Sequence, residues 1–175
     1  MHAKTVLLLS LSVLSGCAGV DVTQYRGQQP ELTMEEYFSG TLDAWGMFQK
    51  RNGAVMKRFK VVIEAEWQGD HGVLDERFTY SDGTTQQRVW HLTRTGEGEY
   101  TGRADDVVGI ARGRVSGNTL HWVYTLRLPV DDKVYEVQFD DWMYLQTDGV
   151  LINRSSMRKF GVELGEVTLF FRKRS

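Results

Sequence analysis

A chain of 175 residues with 41% hydrophobic side chains and a formal charge of −2 is one domain's worth of material, long enough to bury a core of its own. Its 21 basic and 23 acidic residues are scattered apart from Arg172, Lys173 and Arg174, which excludes the basic face that nucleic-acid binding needs, and a single cysteine excludes an internal disulfide. Eighteen glycines, two prolines and many aromatic residues suit twisted strands joined by glycine turns rather than a disordered chain.

Residues 1–5 carry one lysine and no acid, and residues 6–14 form an apolar run broken only by Ser10 and Ser12. These are the n-region and h-region of a signal peptide, assigned to residues 1–16. A membrane-spanning helix needs roughly 20 apolar residues, so the run is too short to stay as a span. Leu14, Ser15, Gly16 and Cys17 resemble the lipobox of bacterial lipoproteins. The resemblance implies that the Cys17 thiol takes a diacylglyceryl group, that cleavage falls before Cys17, and that the new amino terminus gains a further acyl chain. Each buried CH₂ contributes about 0.8 kcal/mol, so two or three chains hold a protein on a membrane where one holds it marginally. The alternative is an ordinary cleavage site with a free Cys17 thiol, a liability in an oxidising compartment. Ala18 is not the aspartate that signals inner-membrane retention in such lipoproteins, so the periplasmic face of the outer membrane is the expected location. Removing residues 1–16 deletes Lys4 and no acid, so attraction to anionic lipid is not expected to supply the anchor.

Residues 17–31 are mostly polar with no sustained period and read as a lipidated tether reaching roughly 20 Å. The domain proper is assigned to residues 32–175. Thr33 and Glu36 have the spacing of a capping box, with Leu32 and Tyr37 placed to staple across it, which predicts a short helix over residues 34–39 stopped by Gly40. Beyond it come alternating segments at roughly 42–50, 55–68, 73–81, 85–95, 98–104, 107–116, 119–128, 133–146, 149–158 and 165–174, separated by turn residues. Sequential hairpins without crossover helices predict an all-β fold, an antiparallel up-and-down meander of about ten strands closing into a barrel. Val61, Ile63 and Ala65 share one face of the second segment, and Leu120, Trp122, Tyr124 and Leu126 share one face of the seventh. All five tryptophans are expected in the core.

The short helix, the Ala44-Trp45-Gly46 strand and the meander ending near Arg172 resemble the lipocalin and fatty-acid-binding group of calycins. The lipocalin Gly two residues before the Trp is Asp43 here, so the resemblance is one of architecture. The blocks QQPELTMEEYFSGTLDAWGMFQKR, FTYSDGTTQQRVWHL, YTGRADDVVG, YEVQFDDWMYL and LGEVTLFFR are similar to a family of Gram-negative lipoproteins with a domain of unknown function, family 3833. That resemblance implies location and fold and no reaction.

No HExxH, CxxC, GxSxG or glycine-rich phosphate loop is present, so no metal and no cofactor is expected. His91 and His121 alternate out of step with the apolar faces of their segments, and His71 falls in a turn. Asp105 and Asp106 read as a solvated turn. Three charges fall instead on apolar faces: Asp141 with Phe139 and Met143, Arg88 with Trp90 and Leu92, and Arg154 with Val150 and Ile152. A charge there needs a partner, so Asp141 is expected to pair with Arg88 or Arg154. Two readings stand: an ion pair that fixes strand register, or a polar anchor in an apolar cavity whose arginine receives a carboxylate or phosphate. The candidate ligand-binding residues are Arg88, Trp90, Trp122, Tyr124, Asp141 and Arg154.

The functional expectation is a membrane-anchored barrel that binds a small amphipathic or lipid-like molecule without catalysis, attached to the membrane through Cys17. The alternative is a structural or interaction lipoprotein whose packed barrel acts through its outer surface. Mass spectrometry of protein extracted from membranes tests the anchor: the expected amino-terminal peptide begins at Cys17 with its thiol diacylglycerated, and an unmodified thiol refutes it.

Overall fold

The computed structural model describes residues 19–130 and 132–174; Cys17 and the leader lie outside the described residues. Ten strands form: β1 (Gly40–Lys50), β2 (Val55–Gln68), β3 (His71–Tyr80), β4 (Thr85–Gly96), β5 (Glu99–Arg103), β6 (Ala111–Ser116), β7 (Thr119–Val130), β8 (Lys133–Leu145), β9 (Leu151–Lys159) and β10 (Val162–Lys173). Each pairs antiparallel with the next, and β1 pairs with β10 from Leu42↔Lys173 to Lys50↔Gly165, which closes the barrel. Closure removes the two open edges that a ten-strand meander would otherwise expose.

Because side chains alternate along a strand, closure divides each strand into a lumenal and an outer set. In β2 the lumenal set includes Val61, Ile63 and Ala65, at most 3% exposed, and in β7 it includes Leu120, Trp122 and Leu126, at most 5% exposed. The Trp122 indole lies against the backbone of two neighbouring strands. A Cβ on Gly102 of β5 would sit 2.7 Å from that ring, and one on Gly113 of β6 would overlap it. The two glycines therefore make room for a lumenal tryptophan.

The stretch before β1 caps one end of the barrel. It holds a 3₁₀ turn (Val22–Tyr25) and a one-turn helix, α1 (Met34–Tyr37). Leu32, Met34, Tyr37 and Phe38 are all buried. The cap is tied to strands around the ring. Leu32 donates its amide to the Gly117 carbonyl (2.9 Å), Trp67 Nε1 donates to the Phe38 carbonyl (2.9 Å), and Tyr100 donates its hydroxyl to Glu35 (2.9 Å). The Tyr37 hydroxyl reaches the carbonyls of Gly149 (3.0 Å) and Phe171 (3.1 Å), and Lys173 reaches that of Glu36 (2.7 Å). With this end plugged, the β1–β2, β3–β4, β7–β8 and β9–β10 hairpins and the β5–β6 link surround the other end, the mouth.

Several expectations need correction. Order begins well before Leu32: Asp21 caps the 3₁₀ turn, Val22 is buried, and the Tyr25 ring packs on Trp142 and Tyr144 (centroids 6.3 and 5.6 Å), so residues 21–31 are not a free tether. Thr33 makes no side-chain cap, and α1 is a single turn because Tyr37 and Phe38 are held by the barrel end. The sixth strand begins at Ala111 rather than 107, since residues 104–110 leave the regular ladder and keep only an isolated bridge at Val107↔Leu126, where Val108 N donates to the Thr125 carbonyl and Arg127 N to that of Asp106 (both 2.8 Å). Trp45 is 46% exposed on the outer wall, and Trp142 is half-buried there, stacked on His121 (4.2 Å, 19°).

Gly113→Ala is expected to destabilise the fold by about 1–3 kcal/mol, because its Cβ displaces the Trp122 indole from a packed wall. Gly96→Ala, whose Cβ meets nothing nearer than 3.4 Å, is the near-neutral control, and urea titration of both variants checks the difference.

Candidate ligand cavity

The lumen is not filled. A cavity of about 710 Å³ runs through it, floored by Met34 and Phe38 of the cap and walled largely by apolar side chains of eight strands, all but β5 and β6. Trp90 meets Trp122 edge to face at 5.8 Å and Tyr124 at 5.4 Å, while Tyr124 stacks flat on Phe139 at 5.1 Å. These rings give a rigid wall, since aromatic side chains offer area with little rotamer freedom.

Two polar clusters interrupt that wall. The first is centred on Asp141 of β8, which is 4% exposed. Ser155 Oγ donates to its Oδ1, while Tyr124 Oη (3.2 Å) and Asn153 Nδ2 (3.4 Å) donate to Oδ2. Among the described residues no cation touches this carboxylate. Burial pushes its pKa up to about 6, and the three donors only partly offset that. Burial also holds the Tyr124 hydroxyl well above its usual range, with the Asp141 charge adding to the effect. The Asn153 Oδ1 is buried without a protein partner.

The second cluster is centred on Arg88 of β4. Its Nε lies 3.0 Å from both Asp106 oxygens, its Nη2 donates to Asp106 Oδ2 at 2.7 Å, and its Nη1 faces Glu76 at 3.7 Å. Burial opposes the guanidinium charge, but the two carboxylates outweigh it and raise the pKa. Burial pushes Glu76 up to about 7 despite Arg88 beside it. Glu76, Arg88, Tyr124, Asp141, Asn153 and Ser155 all line the cavity.

Arg88, Trp90, Trp122, Tyr124 and Asp141 are thus brought together on one lumen. Arg154 is not. Its side chain is 73% exposed on the outer wall and donates to Glu166 at 2.8 Å. The lumenal set of β9 is Leu151, Asn153, Ser155 and Met157, the opposite parity to the one expected from Val150 and Ile152. Polar residues took the inward positions there because Asp141 across the β8–β9 ladder needs their hydrogen bonds. The expected pairing of Asp141 with Arg88 or Arg154 is replaced by neutral donors. Asp106, read as solvated, is the partner of Arg88. Its signal was available: a strand charge on an apolar face requires a counter-charge, and residues 104–110 contain two. Asn153 and Ser155 carried no distinguishing pattern, whereas Glu76 falls in step with Leu74, Phe78 and Tyr80, the same signal that marked Arg88. His91 and His121 face outward, His121 beside Asp140 at 2.8 Å. Among the described residues, no three His, Cys, Asp or Glu side chains converge on a metal-sized site.

The profile of a family described as "Protein of unknown function (DUF3833)" matches residues 11–173. The chain belongs to that family. No curated protein matches it. A solved structure similar to it is that of the S-type phycobiliprotein lyase CPES from Guillardia theta, at 8% identity and a TM-score of 0.56, covering 82% of this chain and 94% of that one. At that identity the likeness concerns the fold, a calycin-like antiparallel barrel.

The raised pKa values have a consequence for stability. A carboxyl group whose folded pKa lies above its unfolded value penalises the fold once ionised, so stability falls as pH rises through that interval. For Asp141 the interval runs from 3.8 to about 6. Asp141→Asn, which keeps an oxygen acceptor there, is expected to flatten this fall. The difference in thermal midpoint between variant and wild type should grow in the variant's favour from pH 4 to pH 7, and circular dichroism melts across that range check it.

Proposed function

We propose that this protein is a lipid-anchored envelope protein that binds a small amphipathic, lipid-like molecule in its barrel without transforming it. The observation that carries the reading is the 710 Å³ lumenal cavity, open at the mouth, with an apolar wall and polar groups converging on one region. A volume of that order suits a ligand of drug or fatty-acyl size, and a few fixed polar groups in an apolar pocket orient rather than react. The fold shared with a phycobiliprotein lyase is in keeping with a small-molecule site in the lumen. A packed barrel acting only through its outer surface would need the lumen to be filled.

The polar end of the ligand follows from the donors and acceptors that remain. Asp106 occupies the Nε and Nη2 edge of Arg88, and an anion approaching Nη1 meets Glu76. The unsatisfied Asn153 Oδ1 and the carboxyl oxygens of Asp141 and Glu76 are acceptors. A hydroxyl, amide or ammonium end group therefore complements the site better than the carboxylate or phosphate expected from the sequence. The apolar body lies along the Trp90, Trp122 and Phe139 wall.

Anchoring through Cys17 places the barrel on its membrane. Cys17 lies within the span matched by the family profile. About four residues separate it from Asp21, where the ordered cap begins, so an acyl anchor would hold the closed end within roughly 15 Å of the headgroups. That is a shorter leash than a free tether of residues 17–31.

Native extraction followed by lipid analysis of the copurifying molecules tests the binding. A stoichiometric amphiphile carrying hydrogen-bond donors is expected from the wild type, and a large loss from Val137→Trp, which fills the lumen from a 3% exposed position. A wild-type barrel that copurifies with nothing, or a Val137→Trp variant that retains the same molecule, refutes the reading.

A further inference from the structure

The mouth of the barrel is not uniform. β8 pairs with β9 and β10 with β1, so the β7–β8, β9–β10 and β1–β2 hairpins stand side by side as one arc of the rim. Seven of the thirteen exposed large hydrophobic side chains among the described residues lie at the mouth ends of these three hairpins, and the β5–β6 link opposite contributes one, Ile110. Val134 is 65% exposed and Val130 51% on the first hairpin, and Phe160 is 92% and Val162 54% on the second. Val130 and Leu164 also line the cavity, so the apolar surface of the arc is continuous with that of the lumen.

Charge is sorted in the same way. Among the described residues the arc carries Lys50 and Arg51, Lys133, and Arg158 and Lys159, against Asp132 and Glu163. The facing rim carries Asp82, Asp105 and Asp106 against Arg103 and Arg112, with Arg88 held by Asp106 and Lys57 drawn across to Asp82 at 3.0 Å. The net acidity of the whole chain conceals a basic, apolar arc.

Phe160 sharpens the picture. It forms a two-residue turn with Gly161 between the paired Lys159 and Val162, at φ 49°, and it is the one non-glycine residue with positive φ among the described residues. Such turns favour Asn, Asp or Gly at this position, and a bulky side chain there is a genuine outlier. Neither backbone preference nor burial accounts for a phenylalanine at this apex. Lys159 arches over the Tyr135 ring at 3.9 Å and sits 5.2 Å from that of Phe160, which places a cation directly beside the exposed ring.

We propose that this arc docks on an anionic lipid bilayer, with Phe160 and Val162 entering the acyl boundary and the flanking lysines and arginines meeting the headgroups, so that an amphipathic molecule passes between bilayer and lumen without crossing water. Apolar tips flanked by cations are what an interfacial contact requires. The arc is at the opposite end of the barrel from Val22, so a barrel held at its closed end by Cys17 would meet with this arc a bilayer other than the one that anchors it. This contact also stands without a ligand in the lumen, and the two readings can fail independently.

Depth-dependent quenching tests it in the full chain carrying Cys17→Ser, bound to vesicles of phosphatidylethanolamine and brominated phosphatidylglycerol. A fluorophore on Val162→Cys is expected to be quenched roughly threefold more than one on Ser81→Cys of the facing rim, because interfacial side chains reach about 5–10 Å into the boundary. Adding Phe160→Gly should abolish that difference while leaving the melting temperature equal or higher, since glycine suits the turn. Equal quenching at both positions, quenching at 162 that survives Phe160→Gly, or quenching that persists when only zwitterionic brominated lipid is present overturns the proposal. Emission from the 162 label that shifts with protein concentration in the absence of vesicles would identify a second copy of the chain as the occupant and overturn it equally.

Discussion

Everything in this molecule depends on the pairing of β1 with β10. Once the first and last strands share a ladder, every strand has a neighbour on both sides and each side chain is either lumenal or outward by parity alone. A ring of ten strands encloses more volume than its lumenal side chains fill. The cap of residues 32–38 takes up one end, and the rest stays open as a cavity reaching the mouth. The floor, the wall and the entrance of the site all follow from that closure.

The same constraint decides how charge can enter the wall. Arg88 is tolerated because residues 104–110 leave the strand ladder and fold Asp106 back onto it, with Glu76 on the other side. Asp141 is tolerated differently, by hydrogen bonds from Ser155, Tyr124 and Asn153, while its burial keeps its proton affinity raised. Both arrangements are half-satisfied. A packed core would replace them with apolar residues at little loss of stability, whereas a site that must orient one end of a guest has a use for them.

Much of the architecture was legible along the chain. Turn chemistry marked nine of ten strands to within about three residues, and alternation assigned the faces of β2, β7 and β8 correctly, because in those strands apolar residues occupy most lumenal positions. It failed for β9, where Asn153 and Ser155 point inward and Ile152 outward, because parity read from hydrophobicity has no way to know that a neighbouring strand has placed a carboxylate in the wall. It failed again for Asp106 and for residues 21–31. Both are polar stretches whose order comes from partners far away in sequence: Arg88 in one case, Gly117, Trp142 and Tyr144 in the other.

Local chemistry alone determined the strand succession, the turn positions and the all-β class, since each is set by residues within one hairpin's length. The identity of the cavity's polar groups, the parity of β9, the cap across one end and the asymmetry of the rim were decided only by tertiary structure. Each depends on which strands stand side by side around the closed ring. Phe160, Val134 and Met56 are three apolar residues more than a hundred positions apart at the extremes, and the β8–β9 and β10–β1 ladders make them neighbours on one arc.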